Sequence, residues 1–230
     1  MTSKTHESDI ASYVGKLFRD NFGKGPGSIY VSIAEPFITI HLRDFLAPME
    51  KILLDRKDDL KIQETRDILM EETIPALKDY IKSVIHIDVR NIYYDWSLEN
   101  KTGIILAVLD TEIDNTNDDY LTYPSKMKVH EEIARFTKKA QKEPKNLQSY
   151  MLNSRTLVSV REDILVRIEK ELIKSGFSEQ LKLSKRGLEK DLLDIEYLES
   201  VMKAEIEDAF VDWDFELNKG FLILILKATT

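Results

Sequence analysis

Apolar residues near the start of the chain recur at Ile10, Tyr13, Val14, Leu17 and Phe18, a three-and-four spacing that gathers them on one side of a helix. Ser8, just ahead of this run, is the predicted N-cap. The pattern breaks at GKGPG, and two runs rich in β-branched residues follow, SIYVSIA and FITIHLR, separated by Glu35-Pro36. They predict a β-hairpin. FLAPMEKILLD returns to helical spacing, and a longer helix is predicted from about Gln63 to Val84, with Pro75 expected to kink or split it. The block closes on a second hairpin, YYDWSLENKTGIILAVL.

That closing phrase is written twice. FVDWDFELNKGFLILIL ends the chain, and the only two tryptophans, Trp96 and Trp213, fall 117 residues apart within the two copies. Asp95/Asp212, Glu99/Glu216, Gly103/Gly220 and Leu109/Leu226 match at the same offset. Upstream, FLAPMEKILL is echoed by ILVRIEKELI, with Glu50/Glu169 and Lys51/Lys170 at an offset of 119. Two echoes in one order point to a tandem duplication. The second block is predicted to run as a helix near 128–141, strands near 147–152 and 156–161, helices near 163–174 and 179–202, and a terminal hairpin. DTEIDNTNDDYLTYPSK between the blocks is polar and aperiodic, which reads as a linker. The predicted fold class is α+β, in two tandem lobes. Each runs α-β-β-α-α-β-β, with helices packed on a four-stranded antiparallel sheet. Residues 1–112 form lobe one, 113–127 the linker and 128–230 lobe two.

Within the closing hairpins the alternation is two-residue. Tyr94, Trp96 and Leu98 share one face, as do Val211, Trp213 and Phe215, while the acids between them take the opposite, solvated face. Glycine in NKTG and LNKG is predicted to supply the positive φ of a type I turn with a bulge. IILAVL and FLILIL do not alternate, so both of their faces are expected to be covered, and a homodimer is one arrangement that would do this.

Composition narrows the functional classes. A hydrophobic content of 43% belongs to a folded protein, and a net charge of -8 argues against a general nucleic-acid binder. Without cysteine there is no thiolate metal site or disulfide. The N-terminus lacks an apolar signal region, and the longest apolar run, GFLILIL, falls short of the roughly 20 residues of a membrane span. The expectation is a soluble, cytoplasmic chain that reaches a membrane through a partner or by lying on its surface.

Candidate chemistry is sparse. In GKGPGS, Gly23, Gly25, Gly27 and Ser28 could present backbone amides to an anion, with Lys24 and Arg43 supplying charge. The competing reading is a helix C-cap followed by a turn, and it is the commoner use of such glycines. A phosphate loop of the nucleotide-hydrolase type is excluded, because here a helix leads in and a strand leads out. The stripe Asp212, Asp214 and Glu216 reads as a solvated sheet face ahead of a cation site. HEEIA at 130–134 has Ala134 where a zincin helix needs its second histidine. The linker acids lack the glycine and closing glutamate of a calcium loop. The basic segment 126–145 reads first as a solvated helix face, with an acidic partner or lipid surface as its alternative. No serine–histidine order suggests a nucleophile. No catalytic residue, metal or cofactor is expected.

The run GKGPGSIYVSIAEPFITIHLRDFLAPMEKILL, then ETRDIL, then YDW and GIILAVLD, resembles a bacterial family named for the C component of a sodium-translocating, membrane-potential-generating system. The residues that carry the resemblance are Gly23, Gly25 and Pro26, then Leu46, Pro48, Glu50 and Leu53, then Arg66 and Asp95. Lobe two resembles a degenerate copy that keeps Glu169, Arg186 and Asp212 but lacks the glycine turn. The resemblance implies a non-enzymatic accessory or regulatory module with a protein partner, a membrane transport complex for ions or inorganic carbon. A small-anion or nucleotide sensor using residues 23–28 is the alternative.

Overall fold

The computed structural model describes residues 3–111 and 123–228. The chain divides into two compact units, residues 1–113 and 114–230. Residues 112–122, most of the expected linker, lie outside the described residues.

The first unit begins with helix α1 (Ser3–Phe22). Ser8 lies within this helix and does not cap it. Strands β1 (Ser28–Ala34) and β2 (Phe37–Arg43) then pair antiparallel around Glu35-Pro36, which is a cis peptide. Helix α2 (Pro48–Asp55) has its proline in the first turn, where a missing N–H costs no hydrogen bond. Helix α3 (Asp59–Ile85) starts earlier than periodicity suggested and is not split at Pro75. Both Pro75 and Glu71, whose carbonyl loses its helical donor, are exposed, so water replaces the missing bond. Strands β3 (Val89–Ser97) and β4 (Thr102–Leu109) complete a sheet of order β1-β2-β4-β3.

The second unit repeats this plan with one more break. Helix α4 (Lys126–Ala140) leads into β5 (Asn146–Asn153) and β6 (Thr156–Glu162), then α5 (Arg167–Lys174). The single helix expected over 179–202 is two, α6 (Ser178–Leu192) and α7 (Ile195–Met202). The break is chemical: Leu193 is extended, and the Asp194 carboxylate accepts from the Tyr197 amide, starting a new helix with an N-cap. Strands β7 (Ile206–Asp214) and β8 (Lys219–Leu226) finish a sheet of order β5-β6-β8-β7. Tyr123, placed in the linker by its polar neighbours, is buried in this unit's core.

The fold is therefore α+β with two four-stranded antiparallel sheets. The resemblance between the units extends to backbone detail. Positive φ occurs at Asp44, Lys57, His86 and Lys101, and again at Asp163, Gly176, Lys203 and Asn218, which occupy corresponding places. Register shifts at Val89/Asn91 and Ile206/Asp208 also correspond.

One apolar side of each sheet lies under the helices. In the first unit Ile10, Val14 and Phe18 of α1 and Ile62, Met70, Leu77 and Ile81 of α3 pack with Ile38, Ile40 and Leu42 of β2 and Trp96 of β3. The run of apolar residues in β4 and β8 is buried along nearly its whole length. The acids of the closing hairpins are not uniformly solvated. Asp95 and Asp212 are each 1% exposed, and their carboxylates accept from the amides of Trp96 and Trp213. The solvated-face reading holds only at the ends of the two hairpins, at Glu99 and Glu216.

Gly103 and Gly220 also differ from expectation. The positive φ of each turn falls on Lys101 and Asn218, in both cases two residues earlier. The glycines instead make room: a Cβ on Gly103 would stand 2.4 Å from Trp96 Cε3, and one on Gly220 would stand 2.6 Å from Ile164 Cδ1. Gly187, in α6, is exposed and meets nothing within 4 Å. Gly103→Ala should therefore lower stability by about 1–3 kcal/mol through overpacking. Gly187→Ala should raise it by up to about 1 kcal/mol. Urea denaturation of both variants against the parent checks the contrast.

Candidate functional site

The most concentrated chemistry lies under the helices, at the start of α2 and of α5. Glu50 occupies the third position of α2, and its Oε2 accepts from the Ala47 amide at 2.7 Å, closing the helix N-terminus. The same carboxylate accepts from Arg66 of α3, Nε to Oε1 at 2.7 Å and Nη2 to Oε2 at 2.8 Å. Arg66 is fully buried and donates also to the Phe45 carbonyl. Its guanidinium carbon lies 4.6 Å from the Phe45 ring centroid and 4.8 Å from that of Trp96. Phe18 and Phe22 pack edge-on against Phe45 and Trp96, so this fork-to-fork pair is walled by aromatic rings.

In the second unit Glu169 closes α5 in the same way, accepting from Val166. Its partner is Lys185, at 2.6 Å, not the Arg186 that identity with Arg66 suggested. Lys185 stands 119 residues after Arg66, the offset that relates Glu50 to Glu169. It lies 5.1 Å from the Trp213 ring centroid, so the carboxylate, cation and tryptophan recur together.

The surroundings do not recur. At the same offset Leu42 is replaced by Arg161, Met70 by Glu189, Phe18 by Thr137 and Phe22 by Gln141. Arg161 Nη1 meets Glu189 Oε2 at 2.7 Å, with both side chains fully buried. Arg161 also donates to Thr137 Oγ1 and the Phe221 carbonyl. Glu189 Oε1 accepts from Gln141 and from Trp213 Nε1. An aromatic, apolar interior in one unit is a charged, hydrogen-bonded one in the other. Burial pushes the Lys185 ammonium below its ordinary pKa and Arg161 adds repulsion, while Glu189 and Glu169 act to raise it.

The sequence-predicted residues sit elsewhere, at the exposed end of the first hairpin. Gly23 has φ +71 and ends α1 as a left-handed C-cap residue. Lys24 Nζ donates to the Leu46 carbonyl at 3.0 Å. A Cβ on Gly25 would come within 3.0 Å of the Gly15 carbonyl oxygen, and one on Gly27 within 2.8 Å of Asp44 Cβ. The Gly27 amide donates to the Arg43 carbonyl, and Ser28 pairs with Arg43 across the ladder. Thus Gly27, Ser28 and Arg43 are brought together by strand pairing, and Lys24 is turned toward the start of α2. The acid stripe is divided, with Asp212 in an ion pair to Lys182 and Glu216 in solvent. Among the described residues no group of three His, Asp or Glu side chains could hold a metal ion.

Arg161, Lys185, Glu189 and Gln141 escaped the sequence reading because each looks ordinary within its own segment. The signal that finds them is comparison of the two blocks at the 119-residue offset, where charge replaces apolar side chains. Every charge in the cluster faces an opposite one, and its contacts tie α4, α5, α6, β6 and β7 together.

Residues 2–111 match the family model described as Na+-translocating membrane potential-generating system (MpsC). The first unit is similar to that family over almost its whole length. No curated protein and no solved structure matches the chain.

A buried ion pair is costly to break and cheap to replace whole. Glu189→Met alone leaves Arg161 buried without its ion-pair partner and should cost about 3–5 kcal/mol, and Arg161→Leu alone should cost less, since Glu189 keeps Lys185 at 3.6 Å. The double variant installs the residues found in the first unit, and its cost should fall far below the sum. A double-mutant cycle by chemical denaturation measures the difference.

Proposed function

We propose that this chain is a non-enzymatic accessory or regulatory component of a Na+-translocating, membrane-potential-generating system, acting through a protein partner at the membrane. The observation that carries this reading is the family match over residues 2–111, which implies association with such a system. No described helix is long and apolar enough to cross a membrane, which fits a peripheral role. The most concentrated charges are buried and internally paired, which suits a scaffold presenting surfaces to a partner. On the same reading the second unit is a diverged copy of the first, with its backbone plan kept and its interior changed.

A small-anion or nucleotide sensor built on Gly23–Ser28 has less support. The Lys24 ammonium and the Gly27 amide are already bonded to carbonyl groups. Nucleotide, phosphate or bicarbonate that raised the melting temperature of the parent but not of Lys24→Ala would revive it.

Deletion of the chain in its own cells should lower the Na+-dependent membrane potential, read with a potential-sensitive dye, and re-expression should restore it. The purified chain added to sealed liposomes should move no Na+ by itself. An unchanged potential in the deletion strain would count against the accessory role, and Na+ uptake driven by the chain alone would replace it with translocation.

A further inference from the structure

Where the chain enters the second unit's core, three side chains from separate segments form a short hydrogen-bonded line. Tyr123 Oη lies 2.7 Å from Ser149 Oγ, and Ser149 Oγ lies 2.7 Å from His130 Nε2. Ser149 is fully buried on β5, Tyr123 is 7% exposed ahead of α4, and His130 is half-buried on the second turn of that helix. The first unit has nothing comparable: the matching positions on its helix and strand are Ala11 and Val31. We propose that Tyr123, Ser149 and His130 form a proton-controlled latch that fastens the start of the second unit when His130 is neutral and loosens it when His130 is protonated.

The direction of the hydrogen bonds carries the argument. With neutral His130 accepting at Nε2, the Tyr123 hydroxyl donates to Ser149 and the Ser149 hydroxyl donates to the ring, so every proton in the line is used. A protonated ring can only donate. Ser149 must then accept from His130, and the Ser149 and Tyr123 protons compete for the one contact between the two hydroxyls, so one of them is displaced in a buried site. Protonation therefore leaves the line one donor too many.

Among the described residues the surroundings add no counter-charge. Lys126, one turn earlier on α4, repels a charged ring. Strand β5 brings no charged side chain, and its Tyr150 hydroxyl donates to Gln148. The groups of α6 and α7 that reach α4 meet it elsewhere, Glu189 at Gln141 and the Asp194 amide at Glu132. Burial first, and the Lys126 charge second, hold His130 below its ordinary pKa. A base depressed in the folded state favours folding above its unfolded pKa of about 6.5 and loses that contribution as pH falls. The latch is thus closed at neutral pH and weakened in mild acid.

Amide hydrogen exchange on the intact chain, corrected for intrinsic rates, tests this at pH 7.5 and pH 5.0. Protection of the amides over 123–130 should fall severalfold at the lower pH, while that of α6 changes little. His130→Gln keeps hydrogen-bonding capacity without a titratable charge and should abolish the difference. Tyr123→Phe should lower protection already at pH 7.5. An NMR titration of the parent supplies a reading that needs no variant, with the His130 pKa expected below 6.5. Equal protection at both pH values, a fall that persists in His130→Gln, or a His130 pKa at or above 6.5 would each overturn the proposal.

Discussion

One carboxylate in each unit does two jobs that are normally separate. Glu50 and Glu169 satisfy an otherwise orphaned amide at a helix start and also neutralise a buried cation on the following helix. The geometry constrains everything nearby. An eight-residue helix is too short to hold itself in water, so α2 and α5 depend on this anchoring. The cation in turn can be buried only because the carboxylate is there, since an unpaired guanidinium or ammonium in that position would carry a desolvation cost of several kcal/mol. The ring of Trp96 or Trp213 over the cation then fixes where the closing hairpin must pass. Gly103 and Gly220 follow from that position, because a side chain at either would collide with its neighbours.

Around this shared centre the two interiors stand on different physics. The first is held by dispersion and burial among Phe18, Phe22, Phe45 and Trp96, which tolerate small adjustments without losing a partner. The second is held by directional contacts among Arg161, Glu189, Lys185, Gln141 and Trp213, where a displaced group forfeits its partner and retains its desolvation cost. Such an interior specifies one arrangement of its elements sharply, and adds less stability than apolar packing of the same volume.

Much of this was legible in the sequence. The order of elements, the hairpins and the core tryptophans follow from periodicity and from the repeated closing phrase. What was not legible depended on contacts across the chain. A helix that runs on through Pro75 requires knowing that the proline faces water. The break at Leu193 comes from the Asp194 side chain capping a helix that periodicity alone would have continued. Lys185 rather than Arg186 partners Glu169, although both are buried, because Lys185 takes the helix position that Arg66 holds at the 119-residue offset. The glycine turn at 23–28 drew attention because glycine and lysine are conspicuous in a row. Its backbone meets three local needs: a left-handed cap at Gly23, a close approach to the Gly15 carbonyl at Gly25 and a ladder contact at Gly27.

The family match stops at residue 111 although the plan of the fold continues. The two statements are compatible because they concern different atoms. What recurs in the second unit is what the backbone requires: left-handed turns at matching places, a glycine beside the tryptophan, a glutamate closing the short helix. What changes is the lining, with Leu42, Met70, Phe18 and Phe22 giving way to Arg161, Glu189, Thr137 and Gln141, and Ala11 and Val31 to His130 and Ser149. Positions that set a fold are few and constrained by conformation and charge more than by identity, as Lys57/Gly176 and Arg66/Lys185 show. Positions that fill it are many and can be exchanged as a group if charges and hydrogen bonds balance. Properties common to both units must therefore reside in the backbone plan and its capped, cation-bearing centre. Properties that depend on Arg161, Glu189, His130 or Ser149 belong to the second unit, where the first has Leu42, Met70, Ala11 and Val31 at the same places.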